Sequence, residues 1–324
     1  MSAAVPLLEA RHLSVRFGGS GRRLSAVAVN DVSLQLWAGE ILGLVGESGS
    51  GKTTLARTLL GIQRETGGEI LLDGKPVGGT DPDLARRVRR QIQYVHQDAA
   101  ASLDPWWTIG ATLLEALKLQ GGKRGAGPPS QLVAEVLGLV GLDRSIGTRY
   151  VHELSGGQLR RVALARILLL EPRAIILDEP AAGLDMSVQA TVLNLLTELR
   201  VRLGLTYLII SHDLGLVRSF CDRVAIMYLG RMVEVAPVGG LFASPRHPYT
   251  RELLAATLSL QPGDALDGVS FEETPRGPVG AGCAFHPRCA HAVAECAVRA
   301  PPMEAAGDGH EVACWRWRAL ETPP

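Results

Sequence analysis

A chain of 324 residues, 46% hydrophobic and formally neutral with 33 basic against 33 acidic side chains, carries enough apolar mass for one large core plus a smaller unit, or for two domains. That balance excludes a disordered chain and supplies no global basic field for nucleic acid. No apolar run approaches the roughly 18 residues a membrane span needs, and Met1–Pro6 lacks the basic-then-apolar order of a secretory signal, so the sequence predicts a cytoplasmic protein, free to dock on a membrane partner.

Residues 8–17 and 26–36 show partial strand alternation on either side of a Gly18-Gly19-Ser20-Gly21 loop. Phe17 beside that loop is either an aromatic on which a base can stack or a core or rim residue. Residues 40–45 form an apolar run of buried-strand length. It leads into Gly46-Glu47-Ser48-Gly49-Ser50-Gly51-Lys52-Thr53, and residues 54–60 then suit a helix. This G-x-x-x-x-G-K-[ST] pattern has the strand–turn–helix context of a phosphate-cradling loop. Its glycines let the backbone curl until several N–H groups face one oxyanion, and the helix adds its positive end. Gly46, Ser48, Gly49, Ser50, Gly51 and Thr54 build the cradle, Lys52 reaches the outer phosphates, and Thr53 holds Mg2+.

A strand over 67–72 ends at the tight turn Asp73-Gly74, and residues 83–90 form a basic helix best read as a solvated face. A short strand over 92–95 delivers His96-Gln97-Asp98 at its carboxyl end, where ligands sit in α/β sheets, and so points to Gln97. Residues 104–153 are helical in texture, with helices over 109–119 and 131–140 around a glycine- and proline-rich loop. They read as a helical subdomain inserted into an α/β domain. Leu154-Ser155-Gly156-Gly157-Gln158 then opens a strong helix. It is a second anion site, spare unless it completes the site of another copy.

Ala174-Ile175-Ile176-Leu177-Asp178-Glu179 is a fully apolar, hence central, strand ending in two carboxylates. Asp178 suits the water shell of Mg2+, and Glu179 can take a proton from an attacking water. A Gly183-Leu184-Asp185 turn and an amphipathic helix over 187–202 follow. A strand over 205–210 then ends at Ser211-His212-Asp213, where His212 is either structural or a phosphate sensor. A small hairpin over 224–235 closes the domain. Four strand ends thus send Gly46–Thr53, Gln97, Asp178–Glu179 and His212 toward one sheet edge.

Residues 261–280 read as a linker. Beyond them lie Cys283, Cys289, Cys296 and Cys314, spaced C-x5-C-x6-C-x17-C. Disulfides are disfavoured in a cytoplasmic chain, and four thiolates suit an iron–sulfur cluster or Zn2+. The lack of a C-x2-C pair weakens the zinc reading, and buried thiols without metal stay open. With the nucleotide loop far off in sequence, this site is expected to lie away from the nucleotide.

Taken together, these motifs resemble the ATP-binding subunit of an ABC transporter over residues 7–256. Leu154–Gln158 matches the signature motif, Gly46–Thr53 Walker A and Ala174–Glu179 Walker B with its base. Gln97 falls at the Q-loop, Ala182–Asp185 at the D-loop, His212 at the switch histidine and Phe17 near the adenine-stacking aromatic. The resemblance implies an α/β P-loop fold: an ATPase domain over 1–260, its helical subdomain over about 104–153, and a cysteine-rich extension over 261–324. It implies a head-to-tail dimer with two ATPs, each between Walker A of one chain and Ser155-Gly156-Gly157 of the other, with Gln158 and Asp185 beside them. Thr53, Gln97 and Asp178 would organise Mg2+, Glu179 would polarise the water, and His212 would sense the γ-phosphate.

Tyr94–Asp98, Ala101–Pro105, His152-Glu153, Asp185–Ala190 and Ser244–Thr250 resemble the dipeptide and oligopeptide importers and their nickel-importing relatives. His96 stands where Phe is common, and Ala182-Gly183 where Ser-Ala is frequent; neither removes a phosphate ligand. That group implies a second ATPase, more often a distinct paralogue than another copy of this chain, with two permeases and an extracytoplasmic solute-binding protein, at the cytoplasmic face of the membrane. Peptides, nickel and a metal chelate remain open as solutes. Phe285-His286-Pro287-Arg288-Cys289 is similar to the group's C-terminal extension, which in some members resembles a [4Fe–4S] site. A non-transport ABC ATPase is the competing class. It would show long coiled-coil or zinc insertions or a second cassette, and the sequence has none of these.

Overall fold

The computed structural model describes residues 5–18, 26–79, 82–96, 103–119, 128–183, 185–258, 280–307 and 309–320. Short apolar runs bounded by glycine, proline or charge become strands. In chain order these are β1 (Leu8–Phe17), β2 (Ala26–Leu36), β3 (Ile41–Val45), β4 (Gly67–Leu72), β5 (Lys75–Pro76) and β6 (Ile92–Val95). There follow β7 (Ala174–Asp178), β8 (Thr206–Ile210), β9 (Arg223–Tyr228), β10 (Arg231–Pro237), β11 (Glu304–Ala305) and β12 (Glu311–Val312). Contacts divide the chain into two units. The first holds Met1–Leu36, Glu40–Asp81 and Ile210–Pro324; the second holds Trp37–Gly39 and Pro82–Ile209.

The first unit carries an antiparallel sheet in the order β2-β1-β4-β5. Where β4 crosses the irregularity in β1, Gly68 has φ +83°, and a Cβ there would lie 2.4 Å from the His12 carbonyl, so glycine alone fits. The same unit holds the order β11-β12-β10-β9-β3. β3 and β9 are parallel, from Leu42 opposite Arg223 to Val45 opposite Ile226. All five residues of β3 are buried, as expected of a strand covered on both faces. Helix Leu214–Phe220 packs so closely that a Cβ on Gly43 would sit 3.0 Å from the Cys221 sulfur.

The hairpin of β9 and β10 does not close this sheet. The tail returns, pairs β12 antiparallel to β10, and adds β11 outside it. Strands of two residues leave no periodicity in a polar sequence, so this docking was not legible beforehand. Its anchor is a buried acid. Glu234, fully inaccessible, meets His310 Nε2 at 2.6 Å and accepts from the amides of Arg246 at 2.7 Å and His247 at 2.9 Å. Burial pushes this carboxyl up, but the His310 bond and the two amides outweigh it and hold it below the usual carboxylate range.

In the second unit the strand order is β8-β7-β6, with β6 and β7 parallel from Ile92 opposite Ala174 to Val95 opposite Leu177. Helices Ile109–Leu119, Pro129–Leu139 and Gly156–Leu168 pack together, and Leu113, Ala116, Val136, Leu137, Val162 and Ala165 on them are buried. Gly110 lets the first of them approach the turn at Arg144–Thr148, since a Cβ would stand 2.8 Å from the Gly147 carbonyl. Among the described residues no helix is long and apolar enough to cross a membrane.

His247, beside Glu234, is buried, and burial lowers its pKa from 6.5 to about 4 against the opposing pull of Glu234. Its ring is held neutral, with Nδ1 accepting from the Tyr249 amide at 3.0 Å. Because the folded value is depressed, the unfolded chain binds the extra proton first. Stability is full above pH 6.5 and falls as pH drops toward 4, by roughly 3 kcal/mol at about 1.4 kcal/mol per unit. Denaturant unfolding of the His247→Asn variant should lack this component of the pH slope, while the parent retains it.

Candidate functional site

The loop after β3 is shaped by two backbone carbonyls. A Cβ on Gly46 would lie 2.0 Å from the Met227 carbonyl, and one on Gly51 would lie 2.2 Å from that of Ala28. Gly49 and Gly51 take φ of +77° and +102°, which turns successive amides inward. The Gly230 amide holds the Ser50 carbonyl at 2.8 Å, and the Ser50 amide closes on Glu47 at 3.1 Å. Lys52 donates from Nζ to the carbonyls of Gly46 at 2.7 Å and Glu47 at 2.8 Å, and to Ser50 Oγ at 3.3 Å, so the ammonium is folded onto the loop. Helix Lys52–Leu59 begins without a side-chain cap at Gly51, so the positive end of its dipole lies at the loop. Thr53 and Thr54 are half-buried in that first turn, while Ser48 and Gly49 are exposed at the loop tip. Phe17 ends β1 with 42% of its surface exposed, at the rim rather than in the core. His212 is exposed, and Asp213 caps the next helix by accepting from the Leu216 amide at 3.0 Å.

The second unit holds the remaining described candidates. Asp178 ends β7 half-buried and accepts a hydrogen bond from the Tyr94 hydroxyl, a partner that no motif announced. Glu179 takes φ +51°, in the left-handed region, at a cost on the order of 1 kcal/mol. Ser155 caps helix Gly156–Leu168 reciprocally. Its hydroxyl accepts from the Gln158 amide at 3.3 Å, and the Gln158 side chain accepts from the Ser155 amide at 3.0 Å. Ser155 and Gly156 are exposed. Arg160 on this helix donates to the Ala182 carbonyl at 2.8 Å, tying the helix to the turn before Asp185. Asp185 itself caps helix Met186–Leu203 by accepting from the Val188 amide at 2.9 Å. Gln97 lies outside the described residues.

In the tail, Cys283, Cys289, Cys296 and Cys314 are free thiols lining one cavity with His247, Phe285, His291 and Trp315. Backbone amides face three of the sulfurs: Phe285 and His286 toward Cys283, His291 toward Cys289, and Arg316 toward Cys314 at 3.4 Å. Burial raises the Cys283 and Cys289 thiols and takes Cys314 to about 11. Among the described residues, no three of His, Cys, Asp and Glu gather closely enough for a single metal ion. Cys221 sits apart, buried against Gly43, its thiol pushed up to about 12.

The tail reaches the nucleotide loop through one side chain: Arg288 pairs with Glu47 of that loop at 3.0 Å. The Glu47 amide also donates to the Tyr249 hydroxyl at 3.1 Å. Arg288 stood inside the Phe285–Cys289 stretch, but nothing in its spacing pointed to residue 47.

A glycine loop of this shape opening an uncapped helix defines a P-loop nucleotide-binding protein. The family model described as ABC transporter matches residues 29–182, and the model described as oligopeptide/dipeptide transporter, C-terminal region, matches residues 233–296. A Brucella ovis protein whose name assigns it to peptide import as an ATP-binding protein is 43% identical over 317 residues, covering 96% of this chain and 98% of its own. A Bacillus subtilis protein named for oligopeptide transport ATP binding is 38% identical, covering 98% of each. The solved structure of cbiO1 from Clostridium perfringens, part of an ABC transporter complex, superposes with TM-score 0.64 at 28% identity over 74% of this chain and 91% of that one. A dimeric ATP-binding cassette bound to ADP and phosphate gives TM-score 0.63 at 27% identity over 71% and 98%. The chain belongs to the ATP-hydrolysing subunits of ABC transporters, in their oligopeptide/dipeptide group.

Gly46→Ala and Gly51→Ala would each drive a methyl into a backbone carbonyl. Either should weaken Mg·ATP binding at least tenfold in equilibrium titration. Gly156→Ala, with nothing within 4 Å of its added carbon, should leave this chain's own nucleotide affinity within about twofold.

Proposed function

We propose that this chain powers the import of dipeptides or oligopeptides by hydrolysing ATP against a pair of membrane permeases. The observation that carries the reading is the loop at Gly46–Thr53, shaped for phosphates, on a chain whose C-terminal region matches the oligopeptide/dipeptide group. Names of relatives from Brucella ovis and Bacillus subtilis, which refer to peptide import and oligopeptide transport, support the solute class.

Roles follow motif by motif. Lys52 and the amides of Gly46, Ser48, Gly49, Ser50, Gly51, Thr53 and Thr54 hold the phosphates, and Phe17 stacks on the adenine. Thr53, Asp178 and Gln97 would hold Mg2+, which would supply charge neutralisation for the phosphates. Glu179 orients and deprotonates the attacking water, its left-handed backbone presetting the carboxylate, and His212 contacts the γ-phosphate. Ser155, Gly156, Gly157, Gln158 and Asp185 serve the nucleotide of a partner ATPase. The exposed, capped start of helix Gly156–Leu168 offers amides and a hydroxyl to an outside anion. Because phosphoryl transfer needs positioning and charge neutralisation, hydrolysis waits on closure of the two chains, which moves the permeases. The partner is a distinct paralogous ATPase, and an extracytoplasmic binding protein selects the solute. The complex works at the cytoplasmic face of the membrane.

The four tail cysteines suit an iron–sulfur cluster. They line one cavity, and backbone amides face three sulfurs. Such a cluster would be held by Cys283, Cys289, Cys296 and Cys314 as thiolates, its iron offsetting the burial that raises the Cys283, Cys289 and Cys314 thiols.

Anaerobic affinity purification from native membranes should recover two permeases, a second ATPase and a solute-binding protein that binds peptides. Recovery of the chain alone would overturn the transport assignment. Glu179→Gln should cut ATP turnover at least a hundredfold while Mg·ATP still binds. Anaerobic protein should carry about four irons per chain with visible charge-transfer absorption, and Cys296→Ser should lose most of both. Zinc in place of iron would refute the cluster.

A further inference from the structure

The tail touches the phosphate loop through one side chain. Arg288 places Nη1 3.0 Å from Glu47 Oε1 and Nη2 2.6 Å from Glu252 Oε1. Glu47 is mostly buried, at 15% side-chain exposure, and Arg288 stands at 22%. The guanidinium lies 5.9 Å from the Tyr228 ring centre and 5.4 Å from that of Phe285. Tyr228, Tyr249 and Phe285 form a buried aromatic cluster, with centroids 4.6 to 5.5 Å apart, that fixes this geometry. The same Tyr249 accepts the Glu47 amide. Glu47 is therefore held by its backbone and its carboxylate at once, both from outside the loop.

An acid is an awkward neighbour for a triphosphate. Glu47 follows Gly46 directly, and its carbonyl accepts from Lys52 Nζ. Left unpaired in a part-buried setting, its charge would oppose the incoming phosphates and compete for Lys52. We infer that Arg288 is a positioning residue for the nucleotide site: it neutralises and immobilises Glu47, so the tail completes the phosphate loop. The inference rests on Gly46–Thr53 being the phosphate cradle. Arg288 is also the residue before Cys289, in the turn at His286–Arg288, where the Cys289 amide donates to the His286 carbonyl at 3.2 Å. The four-cysteine cavity and the phosphate loop are thus joined through one short turn.

The test is a double-mutant cycle on the full chain, purified anaerobically. Equilibrium binding of Mg·ADP and of a slowly hydrolysed ATP analogue is measured for the parent, Arg288→Ala, Glu47→Gln and the double variant. Arg288→Ala should weaken both nucleotides about tenfold by exposing the Glu47 charge. Adding Glu47→Gln should restore affinity to within about threefold of the parent, because the repelling charge is gone. Glu252→Gln, which removes only the other ion pair, should stay within twofold. A single Arg288→Ala variant within twofold of the parent overturns the inference, as does a double variant no tighter than Arg288→Ala, which marks mere scaffold damage. Should Arg288→Ala not fold, Arg288→Lys and Arg288→Gln carry the same cycle, and Lys, unable to fork between two carboxylates, should fall between parent and Gln. Lys52→Ala separates the two failures. If it binds nucleotide like the parent, the cradle assignment itself is lost; if it does not bind while Arg288→Ala is normal, only the Arg288 inference falls.

Discussion

Two carbonyl oxygens set the terms for the nucleotide loop. Those of Met227 and Ala28 press on it closely enough that no residue with a Cβ fits at 46 or 51. The squeeze curls the chain so that its amides face inward, and Lys52 reaches back across the curl to three oxygens. Both carbonyls come from segments distant in sequence, one ending in β9 and one beginning in β2. The phosphate site is therefore a property of packed sheets, and the glycine pattern records the space those sheets leave.

A second dependence runs through Glu234. A carboxylate with no exposure is expensive unless fully bonded. Here two amides ahead of helix Pro248–Leu258 and the His310 ring supply the bonds. The helix those amides precede carries Tyr249, which accepts the Glu47 amide, and Glu252, which shares Arg288. The acid thus aligns the tail and the helix, and through that helix the phosphate loop, within one unit, and the cost of burying it is offset only when the tail and the helix are both in place.

The motifs were legible because each encodes local chemistry. Glycine spacing marks a curled loop, Ser155 with Gln158 marks a reciprocal helix cap, and an apolar run ending in Asp178-Glu179 marks a central strand with acids at its tip. Most strands and helices appeared near their expected bounds for the same reason. What stayed hidden depends on tertiary approach. The Tyr94 bond to Asp178 joins residues 84 apart, and the pairing of β12 with β10 rests on two-residue strands whose composition looks like loop. The convergence of four thiols on one cavity was hinted at by their clustering in the chain. The pair that ties the tail to the nucleotide loop was not, since Arg288 and Glu47 stand 241 positions apart.

That separation carries a kinetic meaning. Contacts between residues far apart in sequence are slow to form, because a long loop must close before they give any return. On a growing chain, β3 and the phosphate loop emerge early, yet Glu47 waits for Arg288, Glu234 waits for His310, and β10 presents an unpaired edge until β12 arrives. An open sheet edge beside an unpaired buried acid is the kind of surface on which nascent chains misassociate. The residues that pair with β10 and with Glu47 are thus made long after the strand and the loop they complete, so both wait half-finished while most of the chain between them is assembled.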